Sequence, residues 1–268
     1  MPEERTIFRQ LGPGVSVNRH GLRARGFTFI DLLVAVAVMT VLVTLMLPML
    51  TGAYETARRV RCASNIRQIG LALQMYADDN NDKLPPSIFE SDDGTDEHDT
   101  ITVRLADDDI RTTGDGPRWD GLGYLFYRQY IDTPEVFYCP SHHGDHPYDR
   151  YADRWINQPG HININYQFRL TPTKFLTDLD GGTSLIADGM RTQSDYNHID
   201  GNNTLKADMS SPWYQDSTRE LYNSLPLTLT ASATQNREAR EIVANAWNIL
   251  DTKVGRRIHR GQASGGGF

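Results

Sequence analysis

The sequence predicts an α+β fold in which one long N-terminal helix packs on a small antiparallel sheet and a further helix follows near the C-terminus. Three observations predict it. An apolar run fills residues 27–50, and an apolar stripe at helical spacing continues it as far as Tyr76. Beyond it, short apolar segments alternate with turns rich in Asp, Gly and Asn.

The first element is the apolar run. Residues 1–26 carry Arg5, Arg9, Arg19, Arg23 and Arg25 against Glu3 and Glu4, a balance of +3. From Phe27 to Leu50 the one charge is Asp31 and the one helix breaker is Pro48. A helix of this length spans about 36 Å, enough to cross a bilayer core. A carboxylate in such a helix costs up to about 2–3 kcal/mol in lipid, so Asp31 needs a partner. The positive-inside rule keeps the basic leader cytoplasmic and leaves an acidic body, at −10, to be exported. An acidic body also argues against nucleic acid as a partner. The run is too long for the apolar core of an ordinary cleaved secretory signal. A plain signal anchor accounts for its length and orientation, but not for the placement of Gly26, Asp31 and Pro48.

From Thr51 the pattern turns amphipathic. Cys62, Ile66, Ile69, Leu73 and Tyr76 recur at steps of four, three, four and three, with Arg58, Arg59, Arg61, Arg67 and Gln74 mostly off that stripe. No proline or turn cluster separates Ala53 from Ala77, so one helix is expected to continue from the membrane into the body. The segment 78–86, with five Asp and Asn residues ahead of Pro85-Pro86, should stop it. Residues 87–116 are acid-rich and read as a solvated loop holding a short strand at Ile101–Leu105. Val136–Tyr138, Ser184–Ala187 and Thr204–Ala207 read as short strands, the last two able to pair antiparallel. Residues 235–254, with Ile242, Val243, Ala246, Trp247 and Leu250 among charged neighbours, read as a helix, and 261–268 as a flexible tail.

Chemistry is sparse in this body. Two cysteines occur, Cys62 and Cys139. An oxidising compartment permits a disulfide between them; two separate thiols satisfy the sequence as well, because spacing does not fix proximity. The segment Cys139-Pro140-Ser141-His142-His143-Gly144-Asp145-His146 offers zinc-type donors, which His161, His198 or an aspartate would complete. A single such cluster without a second assigns no metal, and histidines of a polar surface loop are the simpler reading. No cofactor is expected, calcium being the one ion the acidic loops or Asp188, Asp200 and Asp208 would take, although Asp78–Asp82 lacks the glycine of a calcium loop. Cys139 with His142 or His143 lacks an ordering carboxylate or oxyanion donors at any readable spacing. The glycines at 265–267 precede no helix or Lys-Ser/Thr pair, so no enzyme is expected.

Gly26-Phe27-Thr28-Phe29-Ile30-Asp31-Leu32-Leu33 resembles the prepilin-type cleavage and methylation motif of type IV pilins and type II secretion pseudopilins. The resemblance implies a prepilin peptidase that cuts after Gly26 and methylates Phe27. It also implies a pilin-like fold, with half of the helix in lipid and half packed on the sheet. Asp31 stands where the family usually has Glu, one methylene longer, and would neutralise a neighbouring subunit's N-terminal amine. Pro48 matches a helix-loosening proline. The segment 62–73 is similar to general-secretion-pathway-G-like proteins abundant in planctomycete-type bacteria. In that group Cys139-Pro140-Ser141 and the series His198, Gly201, Asn202 and Asp208 have counterparts, with Asp208-Met209 in place of the usual Asp-Gly. Calcium sites occur in related major pseudopilins.

The organisation so implied is a cleaved leader at 1–26, a transmembrane and filament-core helix at 27–50, a periplasmic pilin-like domain at 51–260 and the tail. The function implied is that of a structural subunit of a cell-envelope filament, of the type II secretion kind. Its partners would be the peptidase, other pilin-like subunits, an inner-membrane assembly platform and lipid. A membrane-anchored periplasmic binding module that never polymerises is the alternative.

Overall fold

The computed structural model describes residues 26–91, 94–95, 99–106, 118–156, 158–198, 200–227 and 233–253. The basic leader, much of the acid-rich stretch and the expected tail lie outside the described residues. The chain divides into two compact units, Met1–Leu50 and Thr51–Phe268.

Helix α1 runs from Phe29 to Asp79 and so belongs to both units. In the first unit its apolar side chains from Phe29 to Met46 are all exposed, and this stretch is long and apolar enough to cross a membrane. Pro48 lies within the helical span. In the second unit the stripe Cys62, Ile66, Ile69, Leu73 and Tyr76 is buried, as its spacing requires. The helix ends where the polar segment was expected to stop it. Asn81 and Asp82 enter the left-handed region at φ 56° and 65°, which short polar side chains tolerate best after glycine. Asp82 N–H then donates to the Ala77 carbonyl at 2.8 Å, and Asn80 Nδ2 to Tyr76 O at 2.7 Å, satisfying carbonyls the helix end leaves open.

After a short hairpin, β1 (Glu90–Ser91) with β2 (Gly94–Thr95), strand β3 (Thr102–Arg104) falls within the segment read as Ile101–Leu105. It pairs with β4 (Ile162–Asn163). Between them lie α2 (Gly123–Tyr127) and α3 (Tyr148–Ile156). The strand expected at Val136–Tyr138 is not formed. Residues Pro134–Phe137 make a 3₁₀ turn instead, and only Tyr138 is extended. Pro134 fixes φ near the helical value and gives up an N–H that a strand would need, while the turn drives Phe137 into the core.

The main sheet has four strands in the order β5 (Tyr166–Phe168), β6 (Ser184–Asp188), β7 (Gly201–Lys206) and β8 (Trp213–Gln215), all antiparallel. The two segments expected to pair do so, with Ser184 opposite Lys206 and Ala187 opposite Thr204. Every residue of β6 and β7 is buried. The reason is cover on both faces. The α1 stripe shares one core with Leu185, Ile186 and Leu205; α5 (Ala233–Lys253), in the place of the helix read at 235–254, shares a second with Ala187, Met190 and Tyr214. The short α4 (Glu220–Ser224) contributes Leu221 to that second core.

Gly201 shows why one glycine of the His198 series is needed. A Cβ there would lie 2.0 Å from the Tyr214 carbonyl oxygen and 2.5 Å from the Trp213 ring. Because the nearest atom is backbone of the paired strand, no rotamer relieves the clash. Gly201→Ala is expected to cost about 3 kcal/mol in chemical denaturation and to separate β8 from β7. Met209 sits at φ 62°, a left-handed conformation that glycine adopts freely.

Candidate functional site

Two places carry the residues that the sequence singles out. The first is the start of α1. Thr28 N–H and Thr28 Oγ1 donate to Asp31 Oδ2 at 3.0 and 2.8 Å, and Asp31 N–H donates back to Thr28 Oγ1 at 3.2 Å. This is a capping box, with Thr28 as N-cap and Asp31 three residues on, satisfying two N–H groups that a helix start leaves open. Asp31 therefore has a partner within its own chain. The carboxylate also lies at the positive end of the helix dipole, where it is favoured. Gly26 has no heavy atom within 4 Å of the position a Cβ would take, and Phe27 is 86% exposed.

The second place is a buried polar centre in the larger unit. On α1, Glu55, Arg59 and Cys62 stand at steps of four and three, which puts them on one face. Cys62 and Cys139 are joined by a disulfide, their Cα atoms 5.2 Å apart. Asn65 Nδ2 donates to Tyr138 O at 3.0 Å, and Cys139 N–H donates to Asn165 Oδ1 at 3.1 Å, so the chain at Cys139 is tied to both α1 and the segment before β5. Closing a 77-residue separation is worth about 4.5 kcal/mol in the chain-entropy description. Replacing both cysteines by serine is expected to lower unfolding free energy by about 2–5 kcal/mol, read from denaturation midpoints.

Next to the cysteines stand Asp188, at the end of β6, and His198, just ahead of β7; the ligand-type atoms of all four lie within 4.8 Å of one another. His198 Nε2 is 3.5 Å from Cys139 Sγ and 3.8 Å from Asp188 Oδ2. Its Nδ1 donates to Glu55 Oε1 at 2.7 Å, and Glu55 in turn accepts from Ser141 Oγ at 3.1 Å on both oxygens. Asp188 accepts from Asn203 N–H at 2.6 Å, Asn203 Nδ2 at 3.1 Å and Asn197 Nδ2 at 3.1 Å. Burial pushes its carboxyl above the ordinary range, against the pull of His198 and these donors. Trp213 closes one side, its ring 5.5 Å from His198 and stacked under the Arg59 guanidinium at 3.6 Å.

The candidates from the sequence thus separate. Cys62, Cys139, Asp188 and His198 come together. His142, His143, His146 and His161 do not join them. His142 bonds Asn197 Oδ1 at 2.8 Å and burial lowers its pKa. His146 contacts Arg191 and, at 3.0 Å, Tyr151 OH; burial first and then Arg191 hold its pKa down to about 4. These two are bonded into the body, whereas His143 and His161 are exposed as a polar loop would have them. Asp200 and Asp208 are not gathered with Asp188. Asp208 Oδ1 accepts from Ser210 N–H at 2.9 Å and shapes the β7–β8 turn. Asn202, from the same series, clasps Asp188's backbone, accepting its N–H at 3.2 Å and donating to its carbonyl at 3.1 Å. Glu55 was not legible as a site residue; its one signal is its placement two helical turns before Cys62.

An apolar N-terminal helix running on into a buried amphipathic half, a small antiparallel sheet and an added C-terminal helix define a pilin-like α+β protein. The chain belongs to the family described as protein of unknown function (DUF1559), whose model matches residues 52–225. It is also similar to type II secretion system core protein G of Pectobacterium carotovorum subsp. carotovorum, at 39% identity over 66 residues. Those residues are 25% of this chain and 42% of that protein, so the match spans under half of the curated relative. No solved structure matches. The similarity to the secretion-system protein agrees with the pseudopilin-like reading.

Proposed function

We propose that this chain is the precursor of a pilin-like subunit of a cell-envelope filament, of the type II secretion kind. A prepilin peptidase cuts it after Gly26 and methylates Phe27. Residues 27–50 then hold it as a single-pass inner-membrane protein, with the acidic body, residues 51–260, on the periplasmic side. An assembly platform draws it into a filament whose core is made of packed N-terminal helices. Asp31 pairs with the new amine of a neighbour, and Pro48 lets the helix bend on leaving the membrane.

The observation that carries this reading is the start of α1. An apolar helical stretch with no buried side chain, Phe29–Met46, opens on a capped carboxylate five residues after Gly26. The similarity to a type II secretion core protein supports it from a second side. Helices that pack on copies of themselves in a filament should be linkable through that face. A cysteine placed at Val38 or Leu45 is expected to give a disulfide-linked dimer on oxidative cross-linking in cells, the one new thiol of each subunit pairing with a neighbour's because Cys62 and Cys139 are already bonded to each other. Monomer alone at both positions would refute assembly.

The non-polymerising anchored module draws on one specific observation. The Thr28 box satisfies Asp31 within a single chain, so the charge needs no neighbour merely to be tolerated. Assembly would then have to exchange or share that bond.

A further inference from the structure

We infer that Cys62, Cys139, Asp188 and His198 form a two-state centre: a disulfide when oxidised, and a tetrahedral site for a divalent transition metal of the zinc type when reduced. The inference stands on the body of the protein and does not depend on filament assembly.

Two sulfurs, one imidazole nitrogen and one carboxylate oxygen are the donor set that zinc takes. In a tetrahedron with bonds of about 2.0–2.3 Å, neighbouring donors stand roughly 3.3–3.8 Å apart. His198 Nε2 already holds that spacing to Cys139 Sγ, at 3.5 Å, and the ligand atoms of all four residues lie within 4.8 Å of one another, close enough for small side-chain shifts to close the site. The four side chains come from three separate parts of the fold: α1, the chain after the 3₁₀ turn, and the facing ends of β6 and β7. All are 0–4% exposed. Rigid elements therefore hold the donors, and water is excluded.

The surrounding bonds are those of a ligating shell. A carboxylate only accepts, so the 2.7 Å bond to Glu55 places the imidazole proton on Nδ1 and turns the Nε2 lone pair towards the cysteines and Asp188. Ser141 fixes Glu55 in turn. Asp188 Oδ2 takes both Asn203 donors and Oδ1 takes Asn197 Nδ2, so the one unused position of about four lone pairs is on Oδ1, the oxygen that would ligate. A disulfide alone needs neither a histidine aimed by a carboxylate nor a second carboxylate fixed by two asparagines.

A dithiol reductant gives two electrons and two protons to the Cys62–Cys139 bond and leaves as its own disulfide, producing two thiols. The metal ion then takes both sulfurs as thiolates and releases two protons. With the sulfurs bonded to each other the site is closed to metal, so the two states exclude one another.

The test uses the full-length protein in detergent, reduced with a phosphine under argon and titrated with cobalt(II). One cobalt per chain is expected, with thiolate-to-cobalt charge-transfer absorption and the intense visible bands of a tetrahedral ion, displaced by zinc. The oxidised protein should bind at least 100-fold more weakly. Cys62→Ser with Cys139→Ser should abolish the charge-transfer band. Glu55→Gln, a positioning change, should weaken binding about 10–100-fold while keeping the band. No stoichiometric uptake by the reduced protein would overturn the inference, as would uptake unchanged in the double serine variant. So would a reduced protein that loses near-ultraviolet circular dichroism and does not regain it with zinc.

Discussion

Replacing Asp31 with Asn is expected to abolish assembly while leaving the protein folded and in the membrane. The variant separates the helix cap seen in the structure from the pairing proposed for the same side chain. Asn keeps an oxygen that accepts from Thr28 N–H and Oγ1, so the capping box survives. It loses the charge that would pair with a neighbour's amine inside an apolar helix bundle. An amine left unpaired there costs about 3–5 kcal/mol for each subunit contact, enough to stop a filament growing. Asp31→Ala should fail in the same way and cost the helix start about 1 kcal/mol more. Asp31→Glu should assemble, since the charge is kept on a longer arm. The cross-linked dimer from a cysteine at Val38 or Leu45 is the readout. Undiminished dimer in Asp31→Asn would reduce Asp31 to a helix cap.

Replacing Gly26 with Val is expected to leave the whole chain as uncut precursor. Nothing lies within 4 Å of the Cβ that substitution adds, so the fold has no reason to notice it. Any effect must then arise in recognition of the cleavage site, where a branched side chain would meet the peptidase. Membrane protein from the variant should carry all of residues 1–26, with unfolding free energy of the body unchanged. Processing equal to wild type would remove Gly26 from the account.

Much of the frame was legible because it rests on periodicity. The stripe from Cys62 to Tyr76 had one reading, and the helix end at Asp79 followed from a run of turn residues before two prolines. The pairing of β6 with β7 could be read from two apolar segments, but their neighbours β5 and β8 are three residues each, too short to show a period. Tyr166, Gln167 and Phe168 are all buried, so not even alternation marks β5. The segment at 136–138 misled because its β-rich composition gave no weight to Pro134. The buried centre was half visible. Cys139 and His198 stood out as residue types, whereas Asp188 was one acidic residue among many, and Glu55 gains meaning only when α1 brings it beside His198. A site assembled from residues 55, 62, 139, 188 and 198 has no local pattern; contacts over such separations exist only in the fold. The capping box shows the opposite case. Thr28 and Asp31 lie at the spacing of a helix start, a reading eclipsed by the cost of a charge in lipid.

The central claim is a cut after Gly26, and the N-terminus of the protein recovered from membranes tests it most directly. Sequencing with intact-mass measurement should find a chain that begins at Phe27 and carries one methyl group on its amine. A chain that still begins at Met1, or one that begins near Ala53, would contradict the account.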